Sequence, residues 1–93
     1  KYFVYILLCF DGTYYVGITS RLVERIIEHK SGKHLESYTN SRRPVELVFY
    51  CEFNDVRIAI AKEKQIKKWS RAKKEALING EFEKLPNLAK KQF

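Results

Sequence analysis

The sequence predicts an α+β fold, a three-stranded antiparallel sheet flanked by helices in a small α/β sandwich. Two runs rich in aromatic and β-branched residues, Tyr2 to Cys9 and Thr13 to Ile18, flank an Asp11-Gly12 pair, the signal of a β-hairpin closed by a two-residue type I′ turn. A third such run, Val45 to Phe53, follows Pro44 and supplies the third strand. Elsewhere apolar residues recur at helical spacing, first Leu22, Val23, Ile26 and Ile27, later Val56, Ala59, Ile60 and Ile66.

At 93 residues the chain is expected to form one domain, residues 1–93, close to the size where a single core is marginal. A 45% hydrophobic and 14% aromatic content argues against disorder despite 31% charged residues. The net charge of +7 points to phosphate backbones or anionic membranes as partners. No apolar run approaches the roughly 20 residues that span a bilayer, and no signal-peptide pattern opens the chain. The expectation is therefore a soluble cytoplasmic protein that binds nucleic acid and no membrane. Cys9 and Cys51 lack a CxxC partner and read as small buried apolar residues, and the two histidines, five apart, do not make a helical zinc pair.

In chain order, the hairpin brings Tyr5 and Tyr15 onto neighbouring strands, near enough to share a site, although cross-strand packing alone would also place them so. Gly17 either leaves room for a close approach at the end of the second strand or simply terminates it. Thr19-Ser20 offers an N-cap for a helix that stops at Ser31-Gly32. Arg25 and His29, four apart, line the border between its apolar face and water, a position suited to groups held by packing that reach a ligand, and equally to a solvated basic flank.

From Lys33 to Pro44 periodicity disappears and a polar loop follows, long for so small a domain. Its Tyr38, Arg42 and Arg43 are candidates for stacking on bases and binding phosphates. Asn54-Asp55 caps the next helix, in which Glu63 falls inside the apolar stripe. A carboxylate there needs a partner, either a protein cation or a metal. Around it Lys62, Lys64, Lys67, Lys68, Arg71, Lys73 and Lys74 form either a solvated basic face or a track for phosphates. Trp69 reads as a packing anchor, Ser70 caps a third helix that ends at Asn79-Gly80, and Glu81 to Phe93 reads as a frayed helix broken near Pro86.

Tyr5, Tyr15, Arg25, His29 and Glu63, in this order and spacing, resemble the GIY-YIG nuclease family. Phe3-Val4-Tyr5 stands where the family has Gly-Ile-Tyr, and Tyr15-Val16-Gly17 matches Tyr-Ile-Gly. The resemblance covers nearly the whole chain, and the runs Arg42 to Val48 and Glu63 to Lys68 are similar to those of small stand-alone bacterial members, related to the N-terminal nuclease domain of the excision-repair protein UvrC. It implies a divalent-metal-dependent endonuclease acting on DNA, in repair or recombination, with Tyr5 as general base and Tyr15 supporting it or contacting the phosphate. Ile18 stands where some relatives carry a phosphate-binding lysine, and losing that contact would weaken binding or shift the work to Lys64 or the loop arginines.

The residues themselves suit that chemistry. Phosphodiester hydrolysis needs an activated water, positive charge against the phosphorane and help for the leaving oxygen. Glu63 is a hard ligand for Mg²⁺ or Mn²⁺ alongside waters and a phosphate. Arg25 presents a planar fork to phosphate oxygens. A phenol with a pKa of about 10 is a poor base at neutral pH and needs nearby positive charge or a relay. His29 is expected to relay the proton or to bind a neighbouring phosphate. No small-molecule cofactor is implied. The rival reading is a nucleic-acid-binding module that keeps the fold without cutting. A third is an interaction protein whose basic helices dock on an acidic partner.

Overall fold

The computed structural model describes residues 1–32 and 39–81. Three strands, β1 (Tyr2–Cys9), β2 (Tyr14–Thr19) and β3 (Val45–Phe53), form one antiparallel sheet in the order β2-β1-β3. β1 is central, and its Val4, Tyr5, Ile6 and Leu7 are all at most 1% exposed. A strand covered on both faces reads as a continuous apolar run, which is what its sequence shows.

The hairpin differs from the expected two-residue turn. The Gly12 amide donates to the Cys9 carbonyl at 2.9 Å and the Cys9 amide to the Thr13 carbonyl at 2.9 Å, with Gly12 at φ 83°. This is the pattern of a turn followed by a glycine bulge, one residue longer than a type I′ connection. The Asp11 carboxylate favours it, accepting from the Thr13 amide at 3.1 Å and the Thr13 hydroxyl at 2.6 Å. That extra residue sets the register: Tyr5 faces Gly17 and Leu7 faces Tyr15. A two-residue turn would have paired Tyr5 with Ile18 and thrown the two phenols onto opposite faces of the sheet.

Helices α2 (Val56–Lys67) and α3 (Arg71–Ile78) cover one face, where Val4, Ile6 and Val16 pack on Ala59, Ile66, Ala76 and Leu77. Helix α1 (Leu22–Ser31) lies on the other, packing Ile26 against Tyr5, Leu7, Cys9 and Val45. The predicted caps of α2 and α3 are present: Asp55 accepts from the Arg57 amide at 2.8 Å and Ser70 from the Lys73 amide at 3.3 Å. The cap of α1 is shifted. Arg21 is its N-cap without a side-chain bond, while the Thr19 hydroxyl accepts from the Arg21 amide at 3.0 Å in the turn before it.

Of the predicted loop, residues 33–38, with Tyr38 among them, lie outside the described residues, as does the predicted tail helix beyond Glu81. The rest of the loop contains a 3-10 turn, Asn40–Arg42, and a Thr39 only 1% exposed. Both cysteines are free thiols. Among the described residues no helix is long and apolar enough to cross a membrane.

Candidate active site

Because Tyr5 and Gly17 are cross-strand partners on the α1 face, the Tyr5 ring reaches over Gly17, and a Cβ there would collide with the Tyr5 hydroxyl. The glycine thus fixes where the phenol ends. From that place the hydroxyl is hydrogen-bonded to His29 Nε2 at 2.9 Å, and His29 Nδ1 to the Thr39 hydroxyl at 2.7 Å. Both bonds are buried, and His29 is 4% exposed.

Tyr15, diagonal to Tyr5 across the hairpin, completes an aromatic cluster. Its ring centroid lies 6.2 Å from that of Tyr5 and 5.1 Å from that of His29. Burial pushes the Tyr5 phenol well above its ordinary pKa, and the neighbouring Tyr15 adds to the shift. The positive charge of Arg25 opposes it, so the guanidinium lies within electrostatic reach of the phenol.

Arg25 sits one turn before His29 on α1, half-exposed, with its Nε 3.5 Å from Glu28. It lines a polar cleft of about 110 Å³ with Thr19, Ser20, Arg21, Glu24 and Glu28. Four of the predicted residues therefore gather on one face: two phenols, an imidazole behind them and a guanidinium at the rim. Both ring nitrogens of His29 are hydrogen-bonded inside the protein.

Glu63 approaches from the other side of the sheet. It is 8% exposed on α2, and its carboxylate pairs with the Lys67 ammonium at 2.6 Å, one turn on. The cation that burial demands is thus a lysine. Lys67 in turn lines a cleft of about 360 Å³ along β2 with Tyr14, Tyr15, Val16 and Lys74. Through Lys67 the carboxylate is connected to the Tyr15 end of the cluster around the edge of β2.

Among the described residues no three His, Cys, Asp or Glu side chains gather as a metal cage. A hydrated Mg²⁺ or Mn²⁺ needs less, one or two carboxylates with water and phosphate completing the shell. A buried carboxylate already neutralised by a cation fits that minimal requirement, provided Lys67 gives way.

The predicted nucleic-acid contacts divide into two groups. Lys64 and Lys68 are exposed. Arg71, also expected on the phosphate track, is exposed and held within the protein: its guanidinium lies 4.7 Å from the Tyr14 ring centroid, its Nε is 3.0 Å from Glu75, and it donates to the Gly12 carbonyl. Arg42 Nε donates to Asp11 at 3.1 Å and Arg43 Nε to the Asn40 carbonyl at 3.0 Å, so both brace the loop. Sequence reasoning missed Thr39 as a partner of His29, because a threonine in an aperiodic polar loop carries no signal of burial. Lys74 belongs to the basic run around Glu63, but its place beside Lys67 depends on how α3 meets β2.

A family model described as the GIY-YIG catalytic domain matches residues 1–76. The chain is 45% identical over 85 residues to a UPF0213 protein of Syntrophus aciditrophicus, covering 91% of this chain and 98% of that one. It is 42% identical over 80 residues to a UPF0213 protein of Natronomonas pharaonis, covering 86% and 93%. The solution NMR structure of the UPF0213 protein BH0048 from Bacillus halodurans superposes with a TM-score of 0.56 at 41% identity, covering 84% of this chain and 82% of that chain.

Proposed function

Because this chain belongs to the GIY-YIG family, we propose that it is a cytoplasmic, divalent-metal-dependent endonuclease hydrolysing phosphodiester bonds in DNA during repair or recombination, residues 1–93 working as one domain. The observation that supports this most is the gathering of Tyr5, Tyr15, His29 and Arg25 on one sheet face.

In this reading Arg25 holds the scissile phosphate and neutralises the charge that develops on it. The attacking water loses a proton to the Tyr5 oxygen as the Tyr5 proton passes to His29 Nε2 along the 2.9 Å bond. In the tautomer that carries its proton on Nδ1, His29 donates to Thr39 and receives the Tyr5 proton at Nε2. A relay removes the need for Tyr5 to hold a negative charge, which its burial opposes. Tyr15, nearer the rim, orients the water. Glu63 would hold the Mg²⁺ or Mn²⁺, which when bound supplies positive charge at the leaving oxygen. Lys64 and Lys68 contact flanking phosphates.

Two observations favour a second reading, a binding module that cuts poorly: Lys67 occupies the Glu63 carboxylate, and the Tyr5 pKa moves away from neutrality. Incubation with supercoiled, branched and single-stranded DNA, in Mg²⁺, in Mn²⁺ and in chelator, separates the two. Metal-dependent cutting that vanishes in Arg25→Ala and Glu63→Ala supports the nuclease. Binding without cutting of any substrate supports the module.

A further inference from the structure

β2 is an edge strand, and each of its ends opens onto a cleft carrying basic side chains. At the Thr19 end stand Arg21 and Arg25, with Glu24 and Glu28 beside them. At the Tyr14–Tyr15 end stand Lys67 and Lys74 in the larger cleft, with room for a phosphodiester and its waters. Between the two, on the α1 face, lies the phenol cluster, and Tyr15 borders the lysine cleft as well.

Lys67 and Lys74 come from different helices and converge on one strand. Lys67 is also positioned, since its ammonium leans on a carboxylate whose side chain is only 10% exposed. The opposite wall is fixed too, because the Tyr14 hydroxyl donates to Glu75 at 3.1 Å while Arg71 stacks on its ring. Behind the cleft Arg71 and Glu75 pair with each other, so the lysines are the groups that face its opening.

From these placements we propose that a single nucleic-acid strand lies along β2, with Lys67 and Lys74 seating a second phosphate, distinct from the one held at Arg25. Tyr15 and Thr19 are four residues apart on β2. At about 3.4 Å per residue the strand separates the two clefts by about 14 Å. A single strand of a few nucleotides reaches from one seat to the other. The inference rests on the reading of Arg25 as a phosphate ligand, and adds to it a polarity-independent footprint and the residues that close its far end.

The test measures binding, with metal chelated, so that cutting does not enter. Single-stranded oligothymidylates of increasing length are titrated by fluorescence anisotropy at several salt concentrations, using wild type, Lys67→Gln, Lys74→Gln and the double variant. Lys30→Gln, on the groove between α1 and β3, is the control. Affinity should climb with length until an oligomer spans both clefts and level off beyond. Each lysine variant should lower the slope of log K against log salt by about 0.7, and the double variant by about 1.4, with Lys30→Gln unchanged. Thermal melts accompany every variant, and Lys74→Gln is the arm that leaves the Glu63 ion pair intact.

A slope unmoved by both single variants overturns the proposal and leaves the lysines as guards of an exposed sheet edge. Metal-dependent cutting with that unmoved slope sinks the footprint and spares the nuclease reading. The expected slopes without any cutting keep the footprint and sink the nuclease reading.

Discussion

The two faces of the sheet share β1 and little else. Toward α2 and α3, Val4, Ile6, Ala59 and Ile66 are wholly buried in an apolar core, around which the polar groups are paired, Glu63 with Lys67 and Tyr14 with Glu75. Toward α1 the same strand presents Tyr5 and Leu7, and His29 and Thr39 are threaded into the packing as a hydrogen-bonded chain. One helix cannot cover that face, so Val23, Ile27 and Tyr50 remain 68%, 59% and 56% exposed around a groove of about 370 Å³. Alternation along a single strand thus separates two tasks. One face is held chiefly by its apolar core. The other holds a polar network in a fixed geometry, which a buried network tolerates only when its members are satisfied.

The largest effect that separates the faces should come from Ile66→Ala, which empties a fully buried site under α2. It should cost about 2–5 kcal/mol in chemical denaturation while leaving cleavage per folded molecule unchanged. Equal losses in both measurements would show the faces to be mechanically one unit. Arg25→Ala should do the reverse. At a half-exposed position it should reduce cleavage by about 10²–10³-fold with a melting temperature close to wild type.

Gly17→Ala sharpens the comparison, since a methyl on the strand backbone displaces the Tyr5 hydroxyl from His29. A stability loss of about 1–3 kcal/mol should accompany a fall in activity, read by urea unfolding and by nicking assay on the same preparation. Unchanged activity would mean that the Tyr5–His29 bond is structural.

The smallest effect is one of pH. The folded pKa of Tyr5 is raised, so its neutral form is the one the fold prefers. Its contribution is complete below the unfolded value of about 10 and is lost as pH rises toward the folded value. Stability should therefore fall above about pH 10, less steeply in Tyr5→Phe, with urea midpoints across the alkaline range as the readout. Tyr14, also raised by burial and by Glu75, acts in the same direction and sets the residual slope.

Much of this architecture was legible. The bounds of β1 and β3, the Asp55 and Ser70 caps and the stop of α3 follow from local chemistry. Glu63 announced its need for a cation because a carboxylate inside an apolar stripe has no cheaper resolution, and Lys67 answers it at helical spacing. What escaped depends on contacts between distant segments. Thr39 reaches His29 ten residues back, and Arg71 donates to the carbonyl of Gly12, 59 residues away. No periodicity reports such pairs. The turn escaped for another reason: Asp-Gly serves both hairpin types, and the choice was made by hydrogen bonds from Thr13 to Asp11 and by Arg42 clasping the same carboxylate.

That choice reaches further than the turn. Side chains on a strand obey parity, so the Phe10–Thr13 connection works as a phase setting for all of β2. A slip of one residue there, pairing Phe10 with Thr13, would carry Tyr15 and Gly17 to the greasy side and bring Tyr14 and Val16 out in their place, inverting the hairpin's second arm without altering a letter of it.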